Sequence, residues 1–336
     1  MRILIAGAAG GLGAPLANLL HESGHELALL DNLSNGYVEN LARFNIQDLL
    51  IQMDITDHHQ MAPLFEQFFP EVVLNLAAVS SLGDCQENPL RAYKSNVLGT
   101  ATLLELSRSV GVKRFIQTST SAVYENASAA SRVTFEEPHL IYPMSKIESE
   151  RLVKSYHKVY QMPALILRIF NVLAPYQDTK RASPPLLNYL IKTYLSGEQP
   201  VLHSDGTQKR DYIVLEDFLT AFLAAVLSPL DFNEGVPVLD ICSGKQLSVL
   251  EIDEMVRVAL KTKLLPKYKS GEDFWEAYPN MNSGIYPIRK DIVQSEVVKS
   301  SLGDNSTAFR ILNWKPLDTI PELNRIIRET IEVMNN

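Results

Sequence analysis

The stretch Tyr142-Pro143-Met144-Ser145-Lys146 holds the residue types best suited to chemistry in this chain. A tyrosine four residues ahead of a lysine sets a phenol and an ammonium on one face of a helix. The ammonium favours phenolate, so a group normally neutral near pH 7 becomes a candidate general base. Pro143 marks the helix start, because proline is tolerated in the first turn. The spacing alone recurs in many helices as a solvated pair, so its weight comes from its surroundings. Upstream, Thr118-Ser119-Thr120-Ser121-Ala122-Val123-Tyr124 follows the apolar run Phe115-Ile116-Gln117. By itself a hydroxyl cluster reads as a polar turn. Beside Tyr142 and Lys146, across one sheet edge, it reads as the third member of a Thr–Tyr–Lys set.

A second constellation lies at the N-terminus. Gly7-Ala8-Ala9-Gly10-Gly11-Leu12-Gly13 follows the short apolar strand Ile3-Leu4-Ile5-Ala6 and opens a helical run from Leu12 to Glu22. Gly7 permits a tight turn, Gly10 lets backbone approach a pyrophosphate at a helix N-terminus, and Gly13 allows close helix–strand packing. Asp31 ends the next apolar strand, where it would accept hydrogen bonds from an adenosine ribose and repel a 2′-phosphate, so the expected cofactor is NAD rather than NADP. Asp54 and Ile55 would contact the adenine, and Leu76-Ala77-Ala78 would pack along the cofactor. Asn96 reads as a helix cap or as a residue that ties the active-site loops together.

These residues need elements to carry them. Apolar strands are expected at Ile3–Ala6, Leu27–Leu30, Leu49–Ile51, Val72–Leu76, Phe115–Gln117 and Ala164–Arg168, with helices at Met61–Phe69, Ser95–Val110 and Ser145–Tyr160 between them. Continuous apolar strands alternating with helices imply a doubly wound parallel α/β sheet covered on both faces, and every motif above falls at a strand's carboxyl end, where such sheets bind ligands. Beyond Asn171 the alternation weakens; Val236–Ile241 reads as a late strand, and Leu247–Leu260 and Pro321–Met334 as helices. The expected organisation is a cofactor domain over residues 1–170 plus about 211–262, and a smaller substrate lobe over about 171–210 and 263–336.

The chain has 336 residues, 46% of them hydrophobic and 21% charged, which suits a soluble globular protein with a large α/β domain. Its net charge of -8 argues against a nucleic-acid partner. Cys85 and Cys242 are far apart and match no metal spacing, so a reduced cytoplasmic compartment is expected. The N-terminal segment reads as neither a signal peptide nor a membrane span.

The glycine turn, Asp31-Asn32-Leu33-Ser34-Asn35-Gly36, Asn96-Val97-Leu98-Gly99-Thr100, Gly111-Val112-Lys113-Arg114-Phe115 and the Thr120/Tyr142/Lys146 set together resemble the extended short-chain dehydrogenase/reductases of the NAD-dependent nucleotide-sugar epimerase/dehydratase family, UDP-glucose 4-epimerases among them. The similarity runs from Ile3 to about Pro316. It implies a Rossmann fold with a smaller C-terminal substrate-binding lobe, and a homodimer through the helices Ser95–Val110 and Ser145–Tyr160. By this resemblance Tyr142 is the base, Thr120 hydrogen-bonds the reacting sugar oxygen, and Lys146 binds the nicotinamide ribose and lowers the Tyr142 pKa. NAD would be held by Gly7, Gly10, Gly11, Leu12, Gly13, Asp31, Asn32, Asn35, Asp54, Ile55, Leu76, Ala77, Ala78, Asn96, Thr118, Tyr142 and Lys146.

The substrate residues come from the same resemblance. Arg168-Ile169-Phe170-Asn171-Val172 and Gly206-Thr207-Gln208-Lys209-Arg210-Asp211-Tyr212-Ile213 match family segments, so Asn171 and Arg210 would hold a nucleotide diphosphate. Arg289 would add to that clamp and Asp291 would take a nucleoside ribose; Ser80, Thr120, Tyr142, Phe170 and Tyr212 complete the expected substrate set. Arginine's planar fork suits phosphate oxygens. Ser121 and Ala122 stand where family dehydratases carry acids after the threonine, which favours epimerisation of a UDP-sugar at C4 over dehydration. Glu125 is a further acid in that loop, and Ser295 falls where bulk at the sugar C2 would be gated. Asn75, and Leu173-Ala174-Pro175, depart from the family pattern and leave the sugar open. The competing expectations are a nucleotide-sugar dehydratase or ketosugar reductase on the same fold, and a non-catalytic NAD-binding interaction protein.

Overall fold

The fold is that of a computed structural model, whose described residues are 1–124, 139–178, 180–181, 184–275, 278–282, 285–292 and 299–335. Glu125 and Ser295 lie outside them. A parallel sheet is built from β1 (Arg2–Ala6), β2 (Glu26–Asp31), β3 (Leu50–Gln52), β4 (Val72–Asn75), β5 (Arg114–Thr120), β6 (Ala164–Ile169) and, later in the chain, β10 (Val238–Ile241). Its strand order is β10-β6-β5-β4-β1-β2-β3, and every neighbouring pair is parallel. The order reverses between β1 and β4, and the crevice beyond their carboxyl ends is the expected ligand position.

The apolar runs form strands because both faces are covered. Ile3 and Ile5 of β1 pack into one core cluster, while Leu4 and Ala6 pack into the other. The same alternation divides Val72 and Leu74 from Val73 on β4, and Leu165 and Leu167 from Ala164 and Ile166 on β6. Each fully buried aliphatic side chain contributes ~1.5–3 kcal/mol, so a one-residue slip of register would be costly.

Helices Gly13–Glu22, His58–Phe68, Gly99–Val110 and Ile141–Tyr160 cover the sheet. The last begins at Ile141, earlier than the expected Ser145, so Tyr142 and Pro143 both sit in its first turn. Lys94–Leu98 forms a wider π-type turn ahead of Gly99–Val110, interrupting the continuous helix expected from Ser95. Leu247 belongs to a strand rather than to the helix expected from it: Ser248 caps Val249–Leu260, its hydroxyl accepting from the Glu251 amide at 3.1 Å.

A second, three-stranded sheet holds β7 (Asn171–Leu173), β9 (Lys209–Val214) and β11 (Gln246–Ser248), in the order β11-β9-β7. β8 (Val201–His203) pairs in parallel with β12 (Lys267–Lys269). These small sheets carry the expected substrate segments past the edge of the large one. Among the described residues no helix is long and apolar enough to cross a membrane.

Candidate active site

The glycine turn leaves β1 with Gly7 at φ +83°, a conformation that favours glycine, and the Gly7 and Ala8 amides both donate to the Leu30 carbonyl of β2. A Cβ at Gly7 would stand 2.7 Å from the Ala77 nitrogen, and one at Gly13 only 2.2 Å from the Gly7 carbonyl oxygen. Gly11 is pressed against a different segment: its Cβ would meet the Tyr176 carbonyl at 2.5 Å. The turn therefore leaves bare backbone at the mouth of a cleft of about 390 Å³. Gly7, Gly10, Gly11, Leu12, Gly13, Asp31, Asn32, Asn35, Ile55, Leu76, Ala77, Ala78 and Thr118 all line it.

This donor set fits a dinucleotide. Asp31 is almost wholly buried, and its carboxylate accepts the Ala9 amide at 3.0 Å and the Leu33 amide at 2.8 Å. Burial raises its pKa, and those two amides oppose the rise. The Thr118 hydroxyl is buried at the cleft wall with no hydrogen-bond partner among the described residues, which is what a polar ligand group would supply. The structure does not bring Asp54 into the lining. Its carboxylate is turned to Thr56 (2.7 Å) and to the Asn32 amide (3.2 Å), while Met53 and Ile55 on either side face the cleft. Asn96 is likewise absent from the lining but ties the loops. It accepts the Val79 amide at 2.8 Å, and its own amide donates to the Val79 carbonyl at 3.0 Å and to Ser145 at 2.9 Å, fixing the β4 loop to the Tyr142 helix.

Thr120 ends β5 and Tyr142 opens its helix; both line the cleft, and the Thr120 hydroxyl acts to lower the phenol's pKa. Thr120 Oγ1 accepts the Ala122 amide at 3.2 Å, so its proton remains available to the phenol or to a ligand oxygen. The sequence expectation that Lys146 makes Tyr142 a phenolate does not hold for the protein alone. Burial pushes the phenol up to about 12; the Thr120 hydroxyl and the Arg181 charge lower it, and the Cys85 thiol raises it further. Lys146 is not among these influences. Its ammonium is buried and depressed to about 8, chiefly by desolvation, with Glu150 and Cys85 opposing. Desolvation here outweighs any attraction between the two groups.

A second cleft of about 640 Å³ opens on the other side of Tyr142, lined by Asn171, Gln208 and Arg210 from the expected substrate segments, with Ser121 and Ala122 beside Thr120. Phe170 stays in the glycine cleft. The two clefts share three lining residues: Ser80, Thr120 and Tyr142. Three expected substrate residues are placed elsewhere. Tyr212 is buried in the core under β9, packed for its ring rather than offered to a ligand. Arg289 and Asp291 form an exposed bidentate pair with each other, at 3.0 and 2.5 Å, and line neither cleft.

The clefts also contain residues that sequence reasoning missed. Gln177, Asp178 and Arg181 join the glycine cleft, and Tyr189, His203, Asp273, Trp275 and Lys299 join the outer one. Pro175 and Pro184 flag a loop between them but not its direction. Trp275 packs with Leu140, Tyr278 and Met281 over Leu82, and Gly83 admits Tyr278 so closely that a Cβ there would lie 2.1 Å from its ring. Asp273 is the one carboxylate among the described lining residues of the outer cleft, and it accepts the Ser270 amide at 3.3 Å.

The family model described as "NAD dependent epimerase/dehydratase family" matches residues 3–236. A UDP-glucuronate 4-epimerase of Thermodesulfobacterium geofontis is 27% identical, over 99% of this chain and 98% of that protein. Among solved structures, the UDP-glucose 4-epimerase of Thermotoga maritima with UDP-glucose is similar at 27% identity and a TM-score of 0.84, covering 100% of this chain and 99% of its own. The UDP-glucuronic acid 4-epimerase of Bacillus cereus, in complex with UDP-glucuronic acid and NAD, is similar at 25% identity and a TM-score of 0.81, with the same coverage.

Proposed function

The chain belongs to the NAD dependent epimerase/dehydratase family, and within it we propose that the protein is an isomerase that inverts C4 of a UDP-sugar. The observation that carries this reading is the meeting of the two clefts at Ser80, Thr120 and Tyr142. A cofactor in the glycine cleft and a sugar in the outer one would face each other across one phenol and one hydroxyl. The similar 4-epimerases of UDP-glucose and UDP-glucuronate support the nucleotide and the carbon.

In this reading the glycine turn, Asp31 and Lys146 would hold NAD, which would supply a reversible hydride acceptor for C4. Tyr142 accepts the proton of the C4 hydroxyl and later gives it back, while Thr120 hydrogen-bonds that oxygen. A phenol at about 12 is ionised in only about one molecule in 10⁵ at pH 7, so the base needs about 7 kcal/mol of differential stabilisation. The Thr120 hydroxyl and the Arg181 charge are the protein groups that act in that direction. Asn171 and Arg210 hold the diphosphate, which keeps the nucleotide in place while the sugar turns over. Ser121 and Ala122 carry no acid, so neither can move a C5 proton; this weighs against the dehydratase reading.

The test is product NMR on a panel of UDP-, dTDP-, GDP- and ADP-sugars with NAD supplied. Interconversion of C4 epimers without net NADH is expected. A 4-keto-6-deoxy product, stoichiometric NADH consumption, or no turnover of any sugar would each overturn the reading.

The same reading includes a cytoplasmic enzyme, the two-lobed division given above, and a homodimer through the helices around Gly99–Val110 and Ile141–Tyr160. Leu98, Val159 and Tyr160 stand exposed there, an apolar surface that such a contact would cover. Sedimentation velocity at micromolar concentration should give a species of twice the chain mass; a monomer would remove the dimer.

A further inference from the structure

Glu150 stands one helical turn beyond Lys146, the spacing that also separates Tyr142 from Lys146. It is 1% exposed, yet charged and fully engaged. Its carboxylate accepts from Ser119 Oγ at 2.6 Å, from Arg168 Nε at 2.9 Å and from Arg168 Nη2 at 2.7 Å, with the Lys154 ammonium at 3.7 Å. Arg168 also donates to the Tyr124 hydroxyl at 2.8 Å, and Tyr124 donates to Asp240 at 2.7 Å. One chain of contacts thus joins β5, β6 and β10 to the helix that carries Tyr142 and Lys146. Ser119 is the immediate neighbour of Thr120.

Burying an ion pair is costly relative to apolar packing, so this network calls for a purpose that the reaction described above does not give it. Lys146 makes no hydrogen bond or ion pair among the described residues, and it is buried in the cleft wall. The groups facing it can be named. Its own helix contributes Tyr142 and Glu150, and the helix Leu82–Glu87 contributes the Cys85 thiol, itself under the charges of Asp84 and Arg91. β5 contributes neutral hydroxyls, and Arg168 of β6 meets the Glu150 carboxylate. Of these, Glu150 is the first-ranked influence that opposes desolvation of the ammonium.

We propose that Glu150 is a positioning residue, anchored by Arg168 and Ser119, that keeps Lys146 charged and in register with Tyr142 and Thr120. The inference rests on the reading of Tyr142 and Lys146 as the reacting pair. Its consequence lies on the alkaline side. A lysine whose pKa is held up loses its proton only as pH rises through that pKa, so removing the carboxylate brings the loss to lower pH.

Glu150→Gln keeps the volume and one acceptor but removes the charge. The alkaline limb of kcat/KM should move toward acid by about one pH unit or more, as expected for loss of a close opposite charge. Glu150→Asp should restore part of the shift. Because Glu150→Gln leaves Arg168 without its counter-charge and could fail to fold, Glu150→Gln combined with Arg168→Met provides the second arm. An acid shift in the same direction but smaller is expected there, because loss of the Arg168 charge partly offsets loss of the carboxylate it pairs with. A uniform fall in rate with the limb unmoved, in whichever variant folds, would make Glu150 merely structural and overturn the proposal. NAD titration against pH, read by tryptophan fluorescence, separates this from failure of the epimerase reading. A wild type that loses NAD affinity at alkaline pH, and a Glu150 variant that loses it at lower pH, would uphold the proposal even if no sugar nucleotide turned over. Identical NAD pH profiles would overturn it.

Discussion

Tyr142→Phe is expected to lower turnover by about 10²–10⁴-fold, the usual contribution of a positioned acid–base group, while NAD affinity changes little. The substitution removes one oxygen and keeps the ring. Thr120, whose hydroxyl acts to lower that oxygen's pKa, lines both clefts. No buried polar group is stranded, so the loss of stability should stay within about 1 kcal/mol. The ring remains packed against Val79, Cys85 and Ala92, which holds the start of the helix in place. A fall in kcat with the melting temperature and NAD affinity preserved is therefore the signature of lost chemistry. A variant that epimerises at the wild-type rate would remove Tyr142 from the mechanism.

Gly13→Ala should be the most damaging small change in the cofactor half. Its methyl would stand 2.2 Å from the Gly7 carbonyl oxygen and 3.0 Å from Ala8 backbone atoms. The helix Gly13–Glu22 cannot retreat, because Ala14, Leu16, Ala17 and Leu20 are wholly buried beneath it. Overpacking of this kind costs ~1–3 kcal/mol, and the displaced turn would carry its backbone amides away from a pyrophosphate. NAD affinity should drop on the order of 100-fold, equivalent to ~2.7 kcal/mol. Gly24→Ala is the matched control. Unlike Gly13, Gly24 has a positive φ, +78°, but nothing lies within 4 Å of its absent Cβ. It should lose stability through backbone strain alone and bind NAD as the wild type does. Calorimetric NAD titration of the two variants checks the pair, and equal affinities would show that the Gly13 packing is not what shapes the cofactor cleft.

Some of this architecture could be read from the chain because its cause is local. The unbroken apolar run Ile3-Leu4-Ile5-Ala6 is the mark of a strand buried on both faces, and the glycine turn, Asp31 and the Tyr142/Lys146 spacing depend on residues close in sequence. The strand–turn–helix assignments around them accordingly agree with the structure to within a few residues. The departures share a different cause. Tyr212 lies in a segment matched for its arginine, but β9 is buried from Asp211 onward and the Tyr212 ring packs into the core. Arg289 and Asp291 are two residues apart and satisfy each other before either reaches the cleft. Asp54 is turned aside by Thr56 and Asn32, which compete for its oxygens at hydrogen-bonding distance.

By itself the sequence determined the parallel sheet, the glycine turn and the identity of the Thr120, Tyr142 and Lys146 set, because periodicity, turn chemistry and one-turn helical spacing are short-range properties of a chain. Tertiary structure alone decided how those groups behave. It buried the phenol so that desolvation, and not the neighbouring lysine, sets its ionisation. It also brought Glu150, Arg168, Tyr124 and Asp240 together from separate segments into one buried network, and opened the two clefts onto the same hydroxyls. Burial and long-range pairing depend on how distant segments fold over one another, and no window of sequence holds both partners.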